Sequence, residues 1–555
     1  MSKSIETRYR PLQIVHDFRK IITPTGDAHT GLMALKAQGI GGVVTNMPFD
    51  NYMQGEETWQ AFGEFLRTCK ATGMRVWIYD EKGYPSGWAG GLVLANRPDL
   101  EAQGLYRDPD TGEIAPGISY EGTHNVNNWA MSARTINLLE ASAAEEFIRV
   151  THERYLRELG SDLSIAEAFF TDEPALNVVY MPEIPAAKNR PIIDPPDENR
   201  PLYPGVPWSN GLAKRFAKRD LTGLFVDQPD SESLRREYYK EVGEELENSF
   251  FGSLERWCGS HGMQSSGHLL WEEIIAGHTA LYGNFLRCLM RLDIPGIDIL
   301  SAEPVGSCKG SRVAAIFAAS AAMLSGTRRI FSESSDHSQR TAEGRIATVD
   351  EVRASLAWQA ALGVTDFTFY FSPGVCPELN GSSTPELSRT PAEYLQINDD
   401  IGGLVERLSP ASLKADVFLY YPVELMNAAY YPTLRPWDPD GKAPKLVKIA
   451  SAFLAAVNDL LDAGIIPCLI DGGMLAELRQ TACGYAVRKA NAKAVVYPAG
   501  CPPPADCAPG CDCDLFEMSP TLPQRLFEQG AARLLNDNHD VCVGVMEMGS
   551  QSLAT

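Results

Sequence analysis

Eight short runs of the 555-residue chain are near-continuous in apolar or small residues, as strands buried on both faces are. Helical patterns separate them, mostly at intervals of about thirty residues, the size of a βαβ unit. The rhythm restarts, with fewer strands, after about Pro410. Together these features predict an α/β fold: a (β/α)8 TIM barrel over residues 1–410, followed by a smaller open α/β domain of flavodoxin-like type over 411–555.

The barrel strands are expected at "LQIVHDF" (12–18), "GGVVTN" (41–46), "RVWIYDE" (75–81), "EAFFTDE" (167–173), "MQSSGHLL" (263–270), "GIDILS" (296–301), "IFSES" (330–334) and "TDFTFYFS" (365–372). Between them, Trp59, Phe62, Phe65, Leu66 and Cys69 recur at helical spacing, as do Tyr239, Val242, Leu246, Phe250, Leu254 and Trp257. A third helix is expected over 350–362. Two intervals are long and read as insertions, at about 92–140 and 175–232. The second holds eight prolines between Pro182 and Pro207, which makes it stiff and extended. Both follow strands, so both belong to the C-terminal face, where barrel enzymes carry their sites. In the second domain, strands are expected at 415–422, 464–470, 493–498 and 541–547, with helices at 446–463, 473–480 and 523–535.

Composition excludes several classes. Net charge is −22, so nucleic acid and acidic membrane surfaces are not expected partners. The Ala-rich run 313–324 is too short to cross a bilayer and reads as a buried helix. "MSKSIETRYRPLQ" lacks the apolar core of a secretory signal, so a cytoplasmic location with reduced thiols is expected. Cys501, Cys507, Cys511 and Cys513 in "CPPPADCAPGCDCD" form a tight tetrad that could hold structural zinc.

In such a barrel the strand C-termini converge on one cavity. Their residues are His16, Asn46, Asp80, Glu81, Asp172, Glu173, His268, Glu272, Glu303, Glu333 and Tyr370. Helix caps explain one or two acids, not acids at five or six strand ends. Glu173 and Glu333 fall on strands four and seven, across the barrel from one another. Glycoside hydrolysis requires such a pair, one carboxyl to protonate the leaving oxygen and one to attack or to activate water. Before Pro174 either acid could cap a helix, the shorter Asp172 better than Glu173; the pair is therefore split, with Glu173 reaching the cavity as proton donor and Asp172 orienting it or binding a sugar hydroxyl. "YDEKGYPSGWAGG" (79–91) has the glycines of a phosphate cradle but no Walker lysine. Its Tyr84 and Trp88 suit stacking on sugar faces, and Asp80 and Glu81 suit hydroxyls. His268, Glu272, His337 and Tyr370 complete the expected substrate contacts. No G-x-S-x-G or H-E-x-x-H motif supports esterase or zinc-protease chemistry.

"VWIYDEKGYPSGWAGG", "FFTDEPAL", "GHLLWEE", "IPGIDIL" and "FSES" together resemble the barrel of the bacterial glycoside hydrolase family 106 α-L-rhamnosidases. The domain order is similar to that of the family 42 β-galactosidases. The resemblance to family 42 implies Glu173 as acid/base and Glu333 as nucleophile. The resemblance to family 106 implies inversion, with Glu333 as base, and an association with calcium. Asp172 stands where many family 42 relatives carry Asn. The expected partner is a small glycoside or oligosaccharide, with no required cofactor beyond calcium or structural zinc, and self-association through the small domain is open. Two other readings stand beside this one: a non-catalytic sugar-binding barrel, and a metal-dependent lyase or isomerase using Asp80, Glu173, His268 and Glu333.

Overall fold

The computed structural model describes residues 5–121, 133–176, 204–299, 304–335, 347–370, 390–409, 413–433, 443–482, 484–523 and 526. Eight parallel strands close into a barrel: β1 (Leu12–Val15), β2 (Gly42–Thr45), β3 (Arg75–Tyr79), β4 (Ala168–Asp172), β5 (Gln264–His268), β6 (Ile294–Ile299), β7 (Phe331–Ser335) and β8 (Asp366–Tyr370). Each pairs with its neighbours in chain order, and β1 pairs with β8. Every expected barrel strand is present. The expected helices are there too, at Glu56–Thr72 and Val349–Ala361, and as a continuous helical rod from Ser231 to Ser260. The Ala-rich run lies within the helix Pro304–Ser325, where Val313–Ala319 are all at most 1% exposed. Among the described residues, no helix is long and apolar enough to cross a membrane.

Alternation along the strands fills the barrel. Leu12, Ile14, Val44, Trp77, Tyr79, Ala168, Phe170, Ile294 and Phe331 form its interior layer. The rings of Trp77 and Phe331 lie 5.6 Å apart, and those of Phe170 and Phe331 5.2 Å apart. This aromatic plug makes the barrel a packed core rather than a pore. The N-terminal end is closed by Arg75 and Arg329, which clamp Glu167 and Asp366 at 2.6–3.6 Å.

The two insertions do not remain separate. Residues 103–107 of the first pair antiparallel with 114–118, and also with 205–208 of the second. A single three-stranded sheet therefore joins the loop that follows β3 to the loop that follows β4.

The C-terminal part has a parallel sheet of β9 (Val417–Tyr420), β10 (Pro467–Ile470), β11 (Ala494–Tyr497) and β12 (Leu515–Glu517), in the order β10-β9-β11-β12. The helix Pro444–Asp462 matches expectation. The helix expected at 473–480 ends at Ala476 and gives way to an antiparallel meander of 479–481, 484–487 and 490–492. In its last strand burial alternates, with Ala490 and Ala492 buried and Asn491 exposed. β12 was not foreseen. The strand expected at 541–547 lies outside the described residues, as does nearly all of the helix expected at 523–535. Barrel and sheet are tied together by Arg287, which donates to Asp471 at 2.6 and 2.9 Å, and by Ser320 Oγ, which accepts from Leu469 N at 2.8 Å.

The four cysteines of the proposed zinc tetrad do not converge. Among the described residues, groups of three or more ligand atoms within 4.8 Å form only inside the barrel. Cys507 Sγ packs against Gly472, and its thiol is raised to about 12 by burial and then by Glu424. Cys501 sits instead near Lys448 and Glu517.

Candidate active site

The inward parity of the interior layer continues to the C-terminal strand ends. Two residues beyond Ile14, Val44, Phe170 and Phe331 stand His16, Asn46, Asp172 and Glu333, and four beyond Ile294 stands Asp298. His268 ends β5 in register with Asp172. That pairing depends on Gly267, whose φ is +145°. A Cβ there would lie 2.0 Å from the Thr171 carbonyl oxygen.

His268 is the hub. Its Nε2 lies 3.0 Å from Asp172 Oδ1 and 3.1 Å from Glu333 Oε2, and its Nδ1 lies 3.6 Å from Glu272 Oε1. All four side chains are buried. Tyr79 Oη donates to Asp172 Oδ2 at 2.5 Å, and Asp298 N donates to Glu272 Oε1 at 3.0 Å. One ligand atom each of Glu173, His268 and Asp298 lie within 4.8 Å of one another. Glu173 Oε2 and Asp298 Oδ1 are buried with no hydrogen-bond partner. Glu173 follows β4 directly in left-handed backbone, with φ 49°. Such conformations cost about 1–3 kcal/mol and cluster at sites. Here the turn takes Glu173 off the strand and brings it beside His268.

Five carboxylates around one imidazole set the electrostatics. Burial would strip the proton from His268, but hydrogen bonds to Asp172, Glu272 and Glu333 hold its pKa well above the ordinary value. Its Nε2 is hydrogen-bonded to Glu333 and in ion-pair contact with Asp172, which favours the imidazolium form. Burial, and then the charge of Asp172, push Glu173 well above the carboxylate range, while His268 opposes the shift. Burial raises Glu333 to about 7, held back by the His268 hydrogen bond. Asp298 is raised well above its ordinary value by burial and then by Glu333. The low-dielectric plug below the site is one source of these shifts. Burial lowers His16 to about 4, so it is a neutral ring, edge-on to Tyr79 at 4.6 Å.

Three strand-end residues, Glu81, Asn46 and Asp80, hydrogen-bond within the protein. Glu81 accepts five backbone N–H groups, from Lys82 (2.7 Å), Gly87 (3.2 Å), Trp88 (3.1 Å), Ala89 (2.7 Å) and Gly90 (2.6 Å). It organises the 82–90 loop. Asn46 donates to the Glu81 and Lys82 carbonyls and accepts from Asp17 N, linking the loops after β1, β2 and β3. Asp80 accepts from Ser86 Oγ at 2.6 Å, and Ser86 also binds the Asp172 backbone at 2.7 and 2.8 Å. The loop is thereby fastened to the end of β4. Trp88 is buried at 6% exposure and Tyr84 is half-buried. Tyr370 ends β8, while His337 and Glu303 lie outside the described residues.

Asp298 was not foreseen. The expected end of strand six was placed at Glu303, although "IPGIDI" carries the signal: an acid on the parity of Ile294 in an otherwise apolar run.

No protein-family model matches the chain, and no curated protein matches it either. Solved structures do match in fold. A rhamnosidase from Novosphingobium sp. PP1Y superposes with TM-score 0.53 at 10% identity, over 90% of this chain and 67% of its own. A β-galactosidase from the haloarchaeon Halorubrum lacusprofundi gives 0.53 at 13%, over 88% and 69%. A family 42 β-galactosidase from G. stearothermophilus gives 0.53 at 11%, over 88% and 67%. The chain thus shares its barrel architecture with TIM-barrel glycoside hydrolases of rhamnosidase and β-galactosidase type.

Proposed function

We propose that the chain is a glycoside hydrolase acting on a small glycoside or oligosaccharide, with Glu173 as general acid and Glu333 as the second carboxylate. One observation carries the reading: both carboxyl groups stand beside His268, but Glu333 is hydrogen-bonded by it while Glu173 Oε2 is buried without a partner. Divergent pKa values in one cavity separate acid from base. Glu173 keeps its proton to higher pH, so it delivers that proton to the leaving oxygen. Glu333, hydrogen-bonded by His268, ionises first, so it either attacks the anomeric carbon or deprotonates water. Tyr79 and His268 hold Asp172 from both sides, so Asp172 positions His268 and accepts substrate hydroxyls only through its remaining lone pairs.

The fold neighbours supply the substrates to try first, α-L-rhamnosides and β-D-galactosides. The test is turnover of aryl glycosides of both sugars by the wild type and by the Glu173→Gln and Glu333→Gln variants. Hydrolysis abolished in Glu333→Gln supports the reading. Sugar binding without turnover of any glycoside would replace it with a binding protein.

A second reading rests on the orphan oxygens of Glu173 and Asp298. Two buried carboxylates this close share protons or hold a cation. Their carboxylate oxygens suit a hard divalent ion, calcium included, and His268 beside them would join as a ligand only after losing its proton. Bound there, an ion would polarise substrate hydroxyls. Metal analysis of the purified protein, and activity after chelation, separate the two readings.

A further inference from the structure

A cavity of about 1200 Å³ lies at the opposite end of the barrel from the carboxylate cluster, between the strand N-termini and the C-terminal part of the chain. Its charge is out of character for this protein. The chain carries −22, yet seven arginines and lysines and only two carboxylates line this space. Both carboxylates are already satisfied, because Arg75 and Arg329 clamp Glu167 and Asp366. Although burial pushes Asp366 up, the two arginines hold it well below its ordinary range. Arg328, Lys414 and Lys489 have no carboxylate within ion-pair distance among the described residues, and Arg8 has only exposed Glu6, at 3.1 Å.

The cations come from separate parts of the chain. Arg328 follows the helix Pro304–Ser325, Lys414 precedes β9, and Lys489 sits at the turn of the antiparallel meander. The meander is docked on the barrel: Lys489 N donates to Leu324 O at 3.4 Å, and the Lys489 stem packs over Gly326. Folding gains nothing from gathering unpaired like charges in a concave space, where the field is focused rather than dispersed. An anion would relieve the repulsion. Met323, Leu408, Tyr9 and Tyr485 share the lining, so the space also offers apolar and aromatic surface to an organic body. Lysine serves phosphate as a point charge, and the volume suits a ligand of nucleotide or sugar-phosphate size.

We infer that this cleft binds a small organic phosphate ester, which contacts the barrel and the C-terminal part at once and fastens them together. Binding only to the docked arrangement raises thermal stability by mass action and weakens as salt rises.

The test is calorimetric titration and thermal melting of the full chain with AMP, glucose 6-phosphate and inorganic phosphate, at low and high salt. The wild type is compared with a Lys414→Ser/Lys489→Ser double variant and a single Arg328→Ser variant. All these positions are exposed, so the variants fold. The inference expects at least one ester to bind with Kd below about 1 mM, to raise the melting temperature, and to bind about tenfold more weakly to the double variant. AMP alone binding assigns a nucleotide, and glucose 6-phosphate alone a sugar phosphate. No ester binding at low salt, or binding unchanged in the double variant, overturns it. Inorganic phosphate binding as tightly as either ester overturns the recognition of an organic body.

Discussion

Glu81→Gln should act on the fold of the 82–90 loop and not on substrate. The substitution keeps shape and volume but replaces one acceptor oxygen by an NH2 group. Oε1 receives two backbone N–H groups and Oε2 receives three. Whichever way the amide turns, at least two buried N–H donors face another donor. An unsatisfied buried donor costs about 1–3 kcal/mol, so the loss is about 2–6 kcal/mol before relaxation. Whole domains are stable by only about 5–15 kcal/mol, so the effect is large. The assay is denaturant unfolding followed by tryptophan fluorescence, with Trp88 within the affected loop, alongside steady-state kinetics on the best glycoside. Expected is a lower unfolding midpoint, with kcat and KM of the surviving folded protein changed together. A midpoint within about 0.5 kcal/mol of wild type, with KM raised alone, would refute this and make Glu81 a substrate ligand.

Three further outcomes follow from the same geometry. Glu173→Gln should slow hydrolysis of glycosides with poor leaving groups by about 10²–10⁴-fold, and of nitrophenyl glycosides far less, because a good leaving group needs little protonation; equal losses on both would remove Glu173 from the acid role. The pH profile of kcat/KM should rise through about 7 as Glu333 ionises and fall at higher pH as Glu173, held well above its ordinary value, loses its proton; a rising limb near 4.5 would show that burial does not perturb Glu333. Gly267→Ala should destabilise by about 2–6 kcal/mol, from overpacking against the Thr171 carbonyl plus a backbone conformation costly for alanine; thermal melting reads it, and an unchanged midpoint contradicts the close approach of β4 and β5.

The barrel was legible because its strands are buried on both faces. That makes the centres of "GGVVTN" and "EAFFTDE" runs of apolar or small residues and marks each strand without help from its partners. Which strand-end acid faces substrate was less legible. Glu81 and Asp172 look alike in sequence, yet Glu81 is enclosed by backbone N–H groups of the loop that follows it, while Asp172 meets His268 on the neighbouring strand. The first could have been suspected from "GWAGG", since small residues let backbone close around a carboxylate. The second needed the register of β4 against β5. Asp298 is inconspicuous because it lies inside its strand, where only the parity of Ile294 marks it as inward, while Glu303 is the acid that follows the run. The helix expected at 473–480 overran Ala476 by four residues, and the meander after it, whose only period-two burial is at small alanines, carries a weak strand signal.

Proton NMR of a glycoside being hydrolysed tests the central claim most directly, with α-L-rhamnosides and β-D-galactosides as the first substrates. The account predicts release of one free sugar anomer that then mutarotates, at a rate abolished by Glu333→Gln. Bound sugar with no anomer released from either glycoside or from a wider panel, by wild-type protein near and above pH 7, would contradict it.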